Sequence, residues 1–297
     1  MSSIYCQCQD GQIQQGTASA ACACSRVGTA NPRTEETQLP AALARFTADR
    51  LPVEVYESEA ALGRAAAERA AALLRDAVRQ RGAARVVIAT GNSQYAFTDA
   101  LRDQDIPWDR VTVFHMDEYV GIPADHPASF RRWIRERIEE PFAPAAVHYI
   151  AGDTGDAEAE CARYEAELRS APLDLVCMGI GENGHLAFNE PHEARFDDDR
   201  WARVITLTER SIAQQVGEGH FPAVADVPRT AISLTVPALL AATAVQVCVP
   251  EQRKASAVET ALTAPVSPGC PATILRRTPH ATLFLDLASS SKIDLPR

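Results

Sequence analysis

Apolar positions along this chain follow two spacings that alternate from about residue 58 onward. Leu62, Ala66, Ala70, Leu73 and Ala77 recur at steps of four and three, the period of one buried helix face. Ser58 stands before them as an N-cap, and Gly82 follows as a stop. Val86 to Thr90 (VVIAT) then reads as a short buried strand, and about Ser93 to Arg102 as a helix. The alternation continues with a strand over Val111 to Phe114, a helix over about Ala128 to Glu139 and a strand over Val147 to Ile150. A helix over about Ala157 to Arg169 leads into the strand LDLVCM, Leu173 to Met178. Strands near Val204 and Ile232, helical turns after Thr208 and a helix near Pro237 come next. A strand VQVCV, a helix from about Gln252 and a last strand TLFLD complete the pattern.

Short apolar strands separated by helices predict an α/β fold: a mostly parallel, doubly wound, Rossmann-like sheet with helices on both faces. No repeat or linker interrupts it, so residues 46–297 are expected to form a single domain. Residues 1–45 are rich in Gln, Ser, Thr, Ala and Gly and hold no sustained period, which predicts a poorly ordered extension. It carries two Cys-x-Cys pairs, Cys6/Cys8 and Cys22/Cys24. Structural zinc sites space paired cysteines more widely, so incidental thiols are favoured over a metal clamp. Cys177 and Cys248 sit in apolar runs and read as buried small hydrophobes.

Composition narrows the function. A net charge of −10 argues against general nucleic-acid or anionic-membrane binding. No apolar run reaches the length of a membrane span, and no basic stretch followed by an apolar one opens the chain. A cytoplasmic protein acting on a small molecule is expected.

In parallel sheets ligands bind beyond the C-terminal strand ends. Three segments fall there. TGNS, Thr90 to Ser93, offers backbone N–H groups and two hydroxyls at a helix start, which suits a phosphate; a ligand-free tight turn explains it as well. FHMDEYVGIPADHP, Phe114 to Pro127, places Asp117 and Glu118 directly after a strand, as a solvated turn or as a general base. LDLVCMGIGENGHLAFNEP ends a strand in three glycines, followed by His185 and Glu190. A histidine there exchanges protons near neutral pH, and a nearby carboxylate fixes its tautomer and raises its basicity. Lone histidines are more often structural, but here the glycines and Glu190 favour function. Lys254, at the start of a predicted helix, is either a surface charge or a phosphate contact, with Arg253 as its alternate.

FHMDEYVGIPADHPASF and GIGENGHLAFNEP, in this order, resemble glucosamine-6-phosphate deaminases (isomerases). These belong to a superfamily with 6-phosphogluconolactonase and ribose-5-phosphate isomerase, and the resemblance runs from about residue 53 to about 287. It implies conversion of D-glucosamine 6-phosphate and water to fructose 6-phosphate and ammonia, as in N-acetylglucosamine catabolism, with no redox cofactor and no metal. By carry-over, His185 opens the pyranose ring, Glu190 and Asn183 orient it, and Asp117 moves a proton from C2 to C1. Thr90, Gly91, Asn92, Ser93 and Lys254 map to phosphate contacts. The partner is a small sugar phosphate, and a homo-oligomer is compatible with the resemblance.

The chain departs from relatives at three places. Asn183 stands where some carry aspartate, so Glu190 alone supplies charge to His185. The loop TGNSQ replaces TGGTP or SGGST. ERSIAQQVGEGHF offers no arginine where some deaminases place a phosphate ligand, leaving Arg210, His220 or Arg276 as substitutes. No match to a known allosteric site is found, which predicts a non-cooperative enzyme. Two alternatives follow: a 6-phosphogluconolactonase-like hydrolase, and a sugar-phosphate-binding regulator without catalysis. Tyr119 after the Asp-Glu pair and AFNEP after Leu186 favour the deaminase over the lactonase.

Overall fold

Wholly apolar and alternating runs take different places in the fold. The computed structural model describes residues 40–296. Its strands are β1 (Ala44–Ala48), β2 (Leu51–Tyr56), β3 (Ala84–Ile88), β4 (Val111–His115), β5 (Asp117–Tyr119) and β6 (Ala146–His148). They continue with β7 (Leu175–Met178), β8 (Ala202–Thr206), β9 (Thr230–Leu234), β10 (Ala244–Val249) and β11 (Ala281–Asp286). Eight of them form one sheet in the order β1-β2-β11-β10-β7-β3-β4-β6. All pairs are parallel except β1 with β2. Every residue of β7, β10 and β11 is buried, as strands covered on both faces require, whereas the edge strand β1 alternates.

Two apolar layers lie on the two faces of this sheet. Val87, Val176, Met178 and Val247 belong to one, and Ile88, Leu175, Cys177 and Cys248 to the other, the period-two alternation of a strand. Each such burial stabilises by about 1.5–3 kcal/mol. Helix α1 (Glu59–Arg81) covers the second face through Leu62, Ala66, Ala70 and Leu74. Ser58 caps it by accepting the Ala61 N–H at 3.3 Å, and Gly82 ends it in a left-handed conformation. The α/β class, the parallel sheet and α1 agree with the pattern of apolar residues.

Four features differ from that pattern. β1 and β2 form a hairpin that the half-exposed sequence ARFTA does not announce, and β1 begins inside the stretch assigned to the extension. The rest of that stretch up to residue 39, with both Cys-x-Cys pairs, lies outside the described residues. The helix expected over residues 128–139 starts at Phe130 as α3 (Phe130–Ile134), then widens into a π-helical stretch over Arg135–Glu139. Pro141 gives the reason: it has no N–H and its ring crowds the carbonyl four residues back, which disfavours α-helical bonds there. The stretch expected as one helix after residue 93 is divided between a 3₁₀ turn over Asn92–Gln94, helix α2 (Tyr95–Ala100) and a second 3₁₀ turn over Leu101–Asp103.

The fourth is a separate antiparallel sheet, β5-β9-β8. The chain leaves β4 at His115, and Met116 already accepts the Leu234 N–H at 2.8 Å. Asp117 therefore starts a strand rather than a turn. Successive strand residues face opposite ways, so Asp117 and Glu118 are sent to different surroundings.

Candidate active site

The C-terminal ends of β3, β4, β7 and β10 converge on one cleft of about 660 Å³, its open mouth included. Thr90, Gly91, Asn92 and Ser93 line it beyond β3, Asp117 beyond β4, His185 beyond β7 and Lys254 beyond β10. Four segments far apart in sequence thus meet where a doubly wound sheet binds ligands. Asn183 and Glu190 stand behind the wall rather than in it.

The adjacent acids have unlike environments. Asp117 lines the cleft, and burial, aided by Glu118, pushes its carboxyl up to about 8. Glu118 is fully buried on the opposite side. It accepts the amide N–H groups of Tyr119 at 3.0 Å, Phe130 at 3.2 Å and Arg131 at 2.9 Å, and the Ser129 hydroxyl at 2.7 Å. Its carboxylate thereby fills the open N–H positions at the start of α3, a structural anchor.

His185 sits on a glycine. A Cβ placed at Gly181 would lie 2.1 Å from both Cε1 and Nε2 of the ring, so no other residue leaves the imidazole its seat. The glycine makes room for the histidine rather than for a ligand. Burial pushes the imidazole down to about 4 against the opposing pull of Glu190, so the ring is neutral at pH 7. The expected ring-to-carboxylate hydrogen bond is not formed: His185 Nδ1 and Glu190 Oε1 are each buried without a partner. Instead Glu190 Oε2 accepts Asn183 Nδ2 at 2.7 Å and Thr208 Oγ1 at 3.3 Å. Asn183 Oδ1 accepts the backbone N–H of His185 at 3.1 Å. Asn183 therefore orients the histidine through its main chain, not through its ring.

The other end of the cleft joins the Thr90 to Ser93 loop and Lys254. Gly91 adopts φ +98°, and the first turn closes only where the Gln94 N–H reaches the Gly91 carbonyl at 3.1 Å. The amides of Gly91, Asn92 and Ser93 precede that bond. Lys254 is 4% exposed, and among the described residues no ion pair includes it. Burial first, then the neighbouring Arg253, push its ammonium pKa down. Glu218, Glu182 and Glu251 oppose that shift from a distance, and a buried cation with no direct ion pair gains from an arriving anion.

Of the three substitutes for the missing arginine, only His220 lines the cleft. Arg276 is held elsewhere by Asp49 at 2.8 Å and the Ala261 carbonyl at 3.0 Å. Arg210 reaches the Glu182 carbonyl at 3.1 Å. Arg253 lines the cleft but is bound to Glu218, to Glu251 at 2.6 Å and to Glu182 at 3.5 Å, which raises its pKa.

Sequence reasoning missed Glu218 and Gln214 and marked Gln94, in the loop TGNSQ, only as a departure from relatives; all three line the cleft. Burial alone would raise Glu218, but His220 at 3.3 Å, Gln214 at 2.8 Å and Arg253 outweigh it and hold the carboxyl near 2. The available signal was the four-residue spacing of Gln214, in the last turn of the helix Glu209–Gly217, and Glu218, its C-cap.

The Thr90 to Ser93 loop, Lys254, Asp117 and His185 share one cleft at the sheet's C-terminal edge, the place where α/β enzymes bind small molecules. The chain belongs to the family described as glucosamine-6-phosphate isomerases/6-phosphogluconolactonase, whose model matches residues 57–284. A glucosamine-6-phosphate deaminase of Exiguobacterium sp. is 34% identical over 207 residues, covering 69% of this chain and 79% of that protein. One of Rhodopirellula baltica is 32% identical over 236 residues, covering 77% and 92%. The solved structure of a monomeric glucosamine-6-phosphate deaminase superposes with a TM-score of 0.73 at 26% identity, over 81% of this chain and 99% of that one. A 6-phosphogluconolactonase from Shewanella baltica shares the fold, with a TM-score of 0.67 at 20% identity over 81% and 99%.

Proposed function

We propose that this protein is a glucosamine-6-phosphate deaminase. The observation that carries the reading is the meeting of Asp117, His185, the Thr90 to Ser93 loop and Lys254 in one cleft. In the ring-opening step, neutral His185 takes the C1 hydroxyl proton and delivers it to the ring oxygen as the C1–O5 bond breaks. Ionised Asp117 then removes the proton on C2. The C–H electrons form the C1–C2 double bond of an enolamine, and the C1 carbonyl oxygen takes up a proton from the substrate's own protonated 2-amino group. Return of the proton to C1 leaves an imine at C2; water adds there and ammonia departs. Asn183 and Glu190 hold the histidine loop throughout. The hydroxyls and amides of Thr90 to Ser93, with Lys254, bind the 6-phosphate, and His220 adds a polar contact at the cleft wall.

A raised carboxyl suits this role: a base of higher pKa takes a carbon-bound proton more readily once ionised. Tyr119 after the acid pair and the AFNEP sequence favour deamination over lactone hydrolysis. Incubation with glucosamine 6-phosphate is expected to yield ammonia and fructose 6-phosphate in equal amounts. Hydrolysis of 6-phosphogluconolactone without ammonia release from the amino sugar would overturn the reading. Action in N-acetylglucosamine catabolism and a cytoplasmic location follow from the same reading. Among the described residues no helix is long and apolar enough to cross a membrane.

A further inference from the structure

Gln94 is fully buried, lines the Lys254 end of the cleft and stands in the part of the loop that departs from relatives. Its Nε2 lies 3.1 Å from Ser93 Oγ and 3.5 Å from the Cys248 carbonyl oxygen. A carbonyl only accepts, so the nitrogen end of the amide must face Cys248. The same nitrogen then donates to Ser93, whose oxygen becomes the acceptor. Gly179 gives this amide its space, since a Cβ there would come within 3.2 Å of Nε2. Meanwhile Gln94 Oε1 is buried with no partner. An unmet buried acceptor costs stability, so an apolar side chain of similar size would serve packing better. A role for the amide beyond filling space follows.

We infer that Gln94 is a positioning residue that occupies one lone pair of the Ser93 hydroxyl and so orients it as a hydrogen-bond donor to a phosphate. With its oxygen engaged by Gln94, the Ser93 hydroxyl turns its hydrogen toward the cleft, where Lys254 supplies the positive charge. The pair selects an acceptor-only group, a phosphomonoester dianion. The inference rests on the deaminase reading only for placing a sugar phosphate here.

The test is a double-mutant cycle on the full chain. Calorimetry measures the affinity for inorganic phosphate of the wild type, Ser93→Ala, Gln94→Leu and the double variant. Each single change is expected to weaken binding about tenfold, the loss of one charge-assisted hydrogen bond. The double variant should bind no worse than Ser93→Ala, because Gln94 acts through that hydroxyl. In turnover Gln94→Leu should raise KM for glucosamine 6-phosphate by the same factor and leave kcat within about twofold. Gln94→Met keeps the side-chain volume and replaces Leu should that variant not fold. Unchanged phosphate affinity in Gln94→Leu, or losses that multiply in the double variant, overturns the inference. Ammonia release by the wild type is scored separately: phosphate binding without it overturns the deaminase reading and leaves the Gln94 cycle decisive. A wild type that does not bind phosphate overturns the inference and leaves the deaminase reading to the ammonia assay.

Discussion

The two ends of the cleft are buried by the same sheet edge yet solve opposite electrostatic problems. At the Asp117–His185 end, burial drives both groups toward their neutral forms, to about 8 and about 4. At the Lys254 end, burial meets a cation that makes no ion pair among the described residues, its shift opposed only from a distance by Glu218, Glu182 and Glu251. The first end keeps proton-transfer groups poised without a ligand. The second, as proposed, is completed by an anion. Under the proposed deaminase reading, a sugar with a phosphate at C6 and reacting carbons at C1 and C2 would span the two. Changes at the first end should therefore cost chemistry, and changes at the second should cost binding.

The sharpest break of that division is Asp117→Asn. It should lower kcat by about 10²- to 10⁴-fold, the range for losing a general base, while changing ligand affinity by less than about threefold. Exchange of the C2 hydrogen with solvent deuterium at the wild-type rate would remove Asp117 as the base. The same residue sets a pH signature. In the wild type kcat/KM should climb as pH rises toward about 8, because only the ionised carboxylate accepts a proton. Stability should run the other way. The folded-state pKa stands above the ordinary 3.8, so the native protein holds an extra proton between these values. Its contribution is present below about pH 4 and is lost as pH rises through about 8. Melting temperatures of Asp117→Asn should thus gain on those of the wild type from pH 4 to pH 8; a constant difference would contradict the raised pKa.

Gly181→Ala tests the other proton-transfer group without touching it. The new methyl needs the place of the imidazole ring, so kcat should fall about 100-fold with a smaller change in KM. A kcat within twofold of wild type would mean that the ring's seat does not matter. At the binding end, Lys254→Ala should raise KM about 10- to 100-fold and lower kcat less than about threefold. An equal fall in kcat and kcat/KM, with KM unchanged, would assign the ammonium to the transition state instead. The smallest effect on activity belongs to Glu118→Gln. It replaces an oxygen that accepts amide N–H groups with a donor, and should cost about 1–3 kcal/mol of stability. Turnover of the folded fraction should remain near wild type; a large kcat loss with an unchanged melting temperature would make Glu118 part of the chemistry.

These residues also mark what a linear pattern can reveal. The parallel sheet was legible because strands buried on both faces are continuously apolar, as in LVCM and AVQVCV. The three strand-end segments were legible because that architecture assigns them a common place. The separation of Asp117 from Glu118 was not, since it depends on β5 pairing with β9, more than a hundred residues away. Nor was the support of His185. A carboxylate five residues on suggests a direct bond to the ring, but the loop routes it through Asn183 to the main chain. Glu218 and Gln94 were hidden for a related reason. Each is an ordinary polar residue until tertiary contacts with Arg253 and His220, or with Cys248, give it a fixed direction.

The most direct test of the account measures ammonia and fructose 6-phosphate together, from glucosamine 6-phosphate, for the wild type and Asp117→Asn side by side. The account predicts one ammonia per fructose 6-phosphate from the wild type, and loss of both products together in the variant at retained phosphate binding. No ammonia from the wild type, or ammonia formed at the wild-type rate without Asp117, would contradict it.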